Sequence, residues 1–332
     1  VIRPAQAEAP VRVDFAGGWT DVPPFSAREG GVVVSAAVRL YARALVEPSS
    51  GGYRLRAEDL GASLELPGDA LPRPDGPLAL LKAALRVMGP AVPLSLTTRC
   101  EAPVGSGLGG SGALDVAMVA ALAAAMGLHL PPRELAERAW RLEALEARVP
   151  GGKQDQFSAA LGGFNLLRLR DPDVAVEPIP VPAAVAAELE RRVVLCYTGA
   201  SRFSGNTIGR VMAAYERGER RVVDALRRMK VVAAEMAEAL PAGDLTAIGR
   251  GLAENWRLQQ ALDGGMCTPE MARLEAAAAA AGALGGKAAG SGAGGCMFFL
   301  AGDDVGAVRA AAQRAGATLL PVAWATEGVR AW

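Results

Sequence analysis

Histidine is almost absent. The one copy, His129, stands in "MGLHLPP" between two helical stretches, with no second ligand at a metal-like spacing. That counts against histidine-based hydrolysis and zinc chemistry, and leaves general-base work to a carboxylate or a lysine. Cysteine is scarce as well. Cys100, Cys196, Cys267 and Cys296 form no C-x-x-C pair, which excludes a disulfide scaffold and suits small buried hydrophobes in a reducing compartment. Net charge is missing altogether, since 35 basic residues balance 35 acidic ones. A neutral chain gives no reason to expect nucleic acid or an anionic membrane as partner, so any bound anion must be held by local geometry. The longest apolar stretch, Val116 to Leu128, is too short to span a bilayer and reads as a buried helix. The first residues lack the basic-then-apolar pattern of a signal. These absences predict a cytoplasmic, soluble protein and leave open whether it is a monomer or a homo-oligomer.

What is present is a large core: 51% of the 332 residues are hydrophobic and 21% charged, enough for two domains of ordinary size. Extended segments, "VRVDFAG" and "GGVVVSAAVRLYARALV", flank a turn-rich "GWTDVPPF". Apolar spacing predicts helices over "LALLKAALRVM", over "GGSGALDVAMVAALAAAMG", from Pro132 to Arg148, and from Gln154. The proline-spaced stretch from Asp171 to Pro182 reads as a linker, dividing a domain of residues 1–180 from one of 181–332. Beyond it come "RRVVLCYTG" as a strand, long Ala-, Arg- and Glu-rich helices, and "GGKAAGSGAGGCMFFLAG" as a glycine loop feeding a strand.

The strongest signal is "APVGSGLGGSGAL", residues 102–114, entered by a strand and left by a helix. Its glycines at 105, 107, 109 and 110 let backbone N–H groups approach a polyphosphate, and the helix adds unpaired donors and the positive end of its dipole. Gly105, Gly107 and Gly110 also satisfy G-x-G-x-x-G, but no second strand follows the helix and position 130 is leucine, so a dinucleotide unit fails on context. "GALGGKA" fails as a Walker A loop, having alanine where the metal-binding hydroxyl belongs.

"PVGSGLGGSGAL" resembles the central ATP-binding motif of the GHMP kinases, through Pro103, Gly107, Leu108, Gly109, Gly110, Ser111 and Ala113. "VRVDFAGGWTDVPP" is similar to the family's N-terminal sugar-side motif, and "GSGAGGCMFFL" to its C-terminal glycine motif. Three motifs in order cover essentially the whole chain. Within the family, "GGKQDQFSAALGGFNLL" and "AGALGGKAAGSGAGG" lean toward heptose 7-phosphate kinases, while Trp19 leans toward fucokinases.

The resemblance implies an α+β fold of two domains, one like ribosomal protein S5 and one ferredoxin-like, with the site between them. It implies ATP and Mg²⁺ as cofactors and a sugar or sugar phosphate as acceptor. ATP would lie on Pro103, Gly105, Ser106, Gly107, Leu108, Gly109, Gly110 and Ser111, with Gly292, Ala293 and Gly294 beside them. Asp155 matches the general base, and Arg12 the arginine that stabilises the moving phosphoryl group. Ser111 and Glu143 match the Mg²⁺ ligands, with Glu146 as rival to Glu143. Asp21 matches the acid that binds sugar hydroxyls, in a pocket lined by Gly17, Gly18 and Trp19. Galactokinases carry Glu-His where this chain has Gly18-Trp19, which speaks against galactose. Lys153 stands beside the base, and a distal substrate phosphate would call for a cation such as Arg28, Arg202 or Lys153.

Overall fold

The computed structural model of the protein describes residues 2–68, 70–199 and 205–332. In chain order its elements are β1 (Ala5–Ala16), α1 (Phe25–Glu29), β2 (Gly31–Pro48), β3 (Tyr53–Ala57), β4 (Ala62–Leu66), α2 (Ala79–Met88), β5 (Leu94–Cys100), α3 (Gly110–Ala125) and α4 (Pro132–Trp140). A π-helical turn (Arg141–Glu146) leads to α5 (Gln154–Leu161), β6 (Phe164–Arg170), β7 (Asp173–Pro178), α6 (Ala183–Arg192) and β8 (Val193–Tyr197). Then follow α7 (Gly205–Glu216), α8 (Arg220–Ala242), α9 (Leu245–Leu262), α10 (Pro269–Ala280), β9 (Ala283–Ala288), β10 (Cys296–Ala301), α11 (Val305–Arg314), β11 (Thr318–Leu320) and β12 (Arg330–Ala331).

The first sheet runs β12-β1-β2-β5-β3-β4. Strand β2 is long enough to pair β6 through Gly31–Ala36 and β5 through Ala42–Pro48, on top of its ladder with β1. The apolar run read as a buried helix is α3. It packs on β1 and β2, between them and α4 and α5, and is buried on nearly every side, as an all-round apolar helix must be. The second sheet, β11-β8-β10-β9, is antiparallel throughout. Helices α8 and α9 lie together, α8 reaching back to β1 and β2 and α9 covering β9. Phe15 of β1 meets Phe298 of β10 edge-on at 5.7 Å, so the two sheets share apolar contact.

Three local expectations change. The stretch 171–182 is no linker, because β7 forms a hairpin with β6 from Asn165↔Pro178 to Arg170↔Asp173. "ALGGKA" is strand β9 and not loop: a Cβ on Gly285 would lie 1.9 Å from the Gly249 carbonyl, and one on Gly286 would lie 2.2 Å from the Phe299 ring. Those glycines mark α9 and β10 closing on the strand. Finally, residues 321–332 do not stay with the second sheet. Trp324 bridges to Val38 and β12 pairs with β1, returning the chain end to the first sheet.

Candidate active site

Strand β5 delivers the chain into the 101–109 loop, where Gly105, Gly107 and Gly109 hold φ of 69°, 76° and 73°. Left-handed backbone at alternate positions turns successive N–H groups toward one side, the concavity that suits an anion. Gly109 is the N-cap of α3, and neither a side-chain cap nor a first-turn acid occupies the helix start, so its leading amides remain available. Val104, Gly105 and Ser111 are exposed, so the loop is open to solvent at both ends.

A second glycine loop, 289–295, closes one side of the first. Cys296 donates from its amide to the Ser106 carbonyl at 2.7 Å, and Thr198 from its amide to the Gly295 carbonyl at 3.0 Å. A Cβ on Gly107 would lie 2.4 Å from the Ala289 carbonyl oxygen. Only glycine allows the two backbones to meet there. Gly292, Ala293 and Gly294 form the outer bend of this loop, Ala293 donating to the Met266 carbonyl at 2.7 Å. The side chain of Ser106 is turned inward and accepts from the Leu108 amide at 3.4 Å.

Arg12, 3% exposed on β1, meets Asp155 at the start of α5. Its Nε donates to Asp155 Oδ1 at 2.9 Å and its second terminal nitrogen lies 2.7 Å from the same oxygen. The remaining terminal nitrogen donates to the Gly107 carbonyl at 2.6 Å. One guanidinium therefore joins the phosphate loop to the carboxylate. Burial works against its charge, but Asp155 first, then Asp14 and Asp21, raise its pKa above the ordinary arginine value. Asp155 keeps a quarter of its side chain exposed.

Around this pair stand three buried acids. Asp21 accepts from the Gln154 amide at 3.2 Å and from Gln154 Nε2 at 3.1 Å. Burial, then the Asp155 charge, pushes its pKa up to about 6. Glu143 lies on the π-helical turn, a backbone irregularity frequent at functional sites. It accepts from Gln156 Nε2 at 2.6 Å, and Ser111 lies close enough to favour its charged form. Burial and Asp155 push it up to about 7. Asp115 of α3 is wholly buried, and neither carboxylate oxygen has a partner among the described residues. Burial, then Glu143 and Asp155, hold it well above the usual carboxylate range.

Comparison with known proteins decides what this constellation is. The profile for the GHMP kinases N terminal domain matches residues 78–163, and that for the GHMP kinases C terminal domain matches 236–318. D-glycero-alpha-D-manno-heptose 7-phosphate kinase of Campylobacter jejuni is 30% identical over 89% of this chain and 88% of its own length. The chain belongs to the GHMP kinases. It is thus an ATP-dependent phosphotransferase with an alcohol acceptor. L-fucokinase/L-fucose-1-P guanylyltransferase of Bacteroides fragilis is also 30% identical, over 91% of this GHMP kinase but only 35% of that longer protein. The crystal structure of a D-glycero-D-manno-heptose 1-phosphate kinase from Bacteroides thetaiotaomicron superposes with a TM-score of 0.82 at 26% identity, covering 99% of this chain and 98% of that one. No helix among the described residues is long and apolar enough to cross a membrane.

Several residues of this GHMP kinase lie otherwise than expected. Lys153 is turned from the base: its ammonium lies 3.1 Å from Asp171, donates to the Pro172 carbonyl at 2.8 Å and sits 4.5 Å above the Trp140 ring. Three partners commit it to the β6–β7 corner. Glu146, the rival metal ligand, faces out to Arg86 at 3.1 Å, which leaves Glu143 as the inward carboxylate. Arg28 is half-exposed and paired with Glu216 at 3.2 Å. Arg202 falls outside the described residues. Trp19 is 3% exposed at φ 81°, with its indole N–H unpartnered. Gly17 donates its amide to Asn255 Oδ1 of α9 at 2.9 Å, fixing the sugar-side turn to the second half of the chain.

Sequence reasoning missed Asp14 and Lys287. The Lys287 ammonium, fully buried, lies 2.6 Å from Asp14 Oδ2 and also donates to the carbonyls of Asp14 and Ala288 at 2.9 and 2.8 Å. The Gly290 amide donates to the other Asp14 oxygen at 2.9 Å. A Cβ on Gly18 would lie 2.4 Å from Asp14 Oδ2. The absence of a glutamate at position 18 is therefore tied to this bridge. The signal was available: an acid between Val13 and Phe15, in the apolar half of the strand, needs a cation somewhere.

Proposed function

We propose that this GHMP kinase moves the γ-phosphate of ATP to a sugar hydroxyl, the anomeric one of a heptose 7-phosphate-like substrate. The observation that carries the reading is Asp155, gripped by Arg12 at the lip of the phosphate loop and still open on one side. An acceptor hydroxyl there gives its proton to Asp155, while Arg12, anchored on the Gly107 carbonyl, neutralises charge on the transferring group. Asp21, steadied by Gln154, accepts from sugar hydroxyls beside Gly17, Gly18 and Trp19. The amides of residues 105–111 and the outer bend at Gly292, Ala293 and Gly294 enclose the polyphosphate.

Ser111 and Glu143 fit a cation. They lie close to one another, one exposed and one buried near an unsatisfied acid. Mg²⁺ bound there would neutralise phosphate charge, keeping most of its waters. With Lys153 committed to Asp171, Arg28 and Arg202 remain the candidates for a distal phosphate. The four thiols are unpaired, in keeping with a cytoplasmic setting.

A heptose phosphate is preferred because the Campylobacter relative aligns over 89% of this chain and 88% of its own length, whereas the fucokinase match covers a third of a larger protein. The fucokinase reading keeps one specific support, the buried Trp19 with its free indole donor. ATP consumption with heptose 7-phosphate, the same heptose without phosphate, and L-fucose separates them. We expect turnover with the phosphorylated heptose. Efficient turnover of L-fucose with none on the heptose phosphate would reverse the assignment, and no turnover on any of them would favour a non-catalytic sensor on the same fold.

A further inference from the structure

Helix α3 is apolar almost throughout, and Asp115 interrupts it one turn after Ser111. The side chain is 0% exposed and both oxygens lack any partner among the described residues. Burying a carboxyl without hydrogen bonds costs several times what one good hydrogen bond returns, so a ligand-bound state that gives it a donor would repay much of that cost. Spacing shows where that donor lies. Residues i and i+4 share a helix face, which stacks Asp115 beneath Ser111 at the mouth of the phosphate loop. The charged groups it feels are Glu143 and Asp155. The first turn of α3 is pressed against the base, for a Cβ on Gly112 would lie 2.5 Å from the Asp155 Cβ. Asp115 is wholly buried while Ser111 is exposed, which sets the carboxyl behind the serine.

In the resting protein Ser111 lies close enough to Glu143 to favour its charged form. If both turn an oxygen to the same cation, the Ser111 hydroxyl hydrogen must point away from Glu143 and needs an acceptor. We propose that Asp115 is a positioning residue of the cation site, accepting the Ser111 hydroxyl hydrogen once Ser111 and Glu143 face a divalent ion. The inference rests on the kinase reading, and on the assignment of Ser111 and Glu143 to the cation. It accounts for a carboxyl that no other group among the described residues satisfies, placed one turn below the serine whose hydroxyl hydrogen would need an acceptor.

The test is Mn²⁺ binding in the presence of ADP, followed by electron paramagnetic resonance, together with melting temperature in EDTA. The proteins are the wild type, Asp115→Asn and Asp115→Leu, each checked for folding by circular dichroism. Loss of an outer-shell partner should weaken Mn²⁺ by about ten-fold or more, while Asp115→Leu should melt no lower than the wild type in EDTA. A purely structural Asp115 would do the reverse, lowering the melting temperature in EDTA and leaving Mn²⁺ affinity alone. Unchanged Mn²⁺ affinity in both folded variants overturns the proposal and spares the kinase reading, as does failure of both to fold. A wild type that binds ADP but no Mn²⁺ overturns the cation assignment itself, and the proposal with it.

Discussion

Two carboxylates, both buried and both near the phosphate loop, are treated in opposite ways. Asp14, at the seam between the sheets, has every oxygen occupied: Lys287 on one, the Gly290 amide on the other. Asp115, under the first turn of α3, has nothing on either. The seam carries its own countercharge and so can hold the second glycine loop against the first without any ligand. The acid floor, with Glu143 and Asp21 raised to about 7 and about 6, is short of countercharge in the resting protein. We read the difference as division of labour. The satisfied region fixes the frame, and the unsatisfied region is where ligand charge enters.

The comparison is sharpened most by Asp155→Asn. Turnover should fall by at least about a hundred-fold, the usual range for loss of a general base, while an ATP analogue still binds. Initial rates and equilibrium binding on the same preparation check it. Next is the seam. Lys287→Met leaves Asp14 buried and uncompensated, and should cost about 3–5 kcal/mol in urea unfolding. The double variant with Asp14→Asn should recover much of that. A single variant as stable as wild type would break the contrast.

Third comes pH. Asp21 and Glu143 hold protons more tightly folded than unfolded, so the stability they add is full below the ordinary carboxylate range. It is lost as pH rises through about 6 and about 7. Melting temperature of the ligand-free protein should therefore decline from about pH 5 to about pH 8, and Glu143→Gln should flatten part of that slope. Smallest is Arg28→Ala. Its pair with Glu216 is exposed on both sides, so stability should change by less than about 1 kcal/mol. A large rise in KM for a phosphorylated sugar with stability unmoved would mark it as the distal-phosphate cation.

Much of this was legible from the chain. The phosphate loop announces itself because glycine spacing and strand–loop–helix context are local, whereas Arg12 and Asp155 stand out only through the family resemblance. What escaped was set by distance or by disguise. Lys287 and Asp14 are 273 residues apart, and Lys287 sits in a glycine stretch that invites a loop reading until α9 is seen pressed on it. Asp115 reads as one polar residue in a helix, since a missing partner shows only in three dimensions. The π-helical turn at Glu143 leaves no mark in a charge pattern that suits an ordinary α-helix. Lys153 was misplaced because adjacency to Asp155 in sequence says nothing of the Asp171 corner that claims it.

The most direct check is a crystal structure with a non-hydrolysable ATP analogue and a candidate sugar. We expect the terminal phosphates on the amides of residues 105–111, Arg12 beside the γ-phosphate, and a sugar hydroxyl within hydrogen-bond reach of Asp155. A nucleotide bound elsewhere, with the Arg12–Asp155 pair untouched by either ligand, would contradict the assignment.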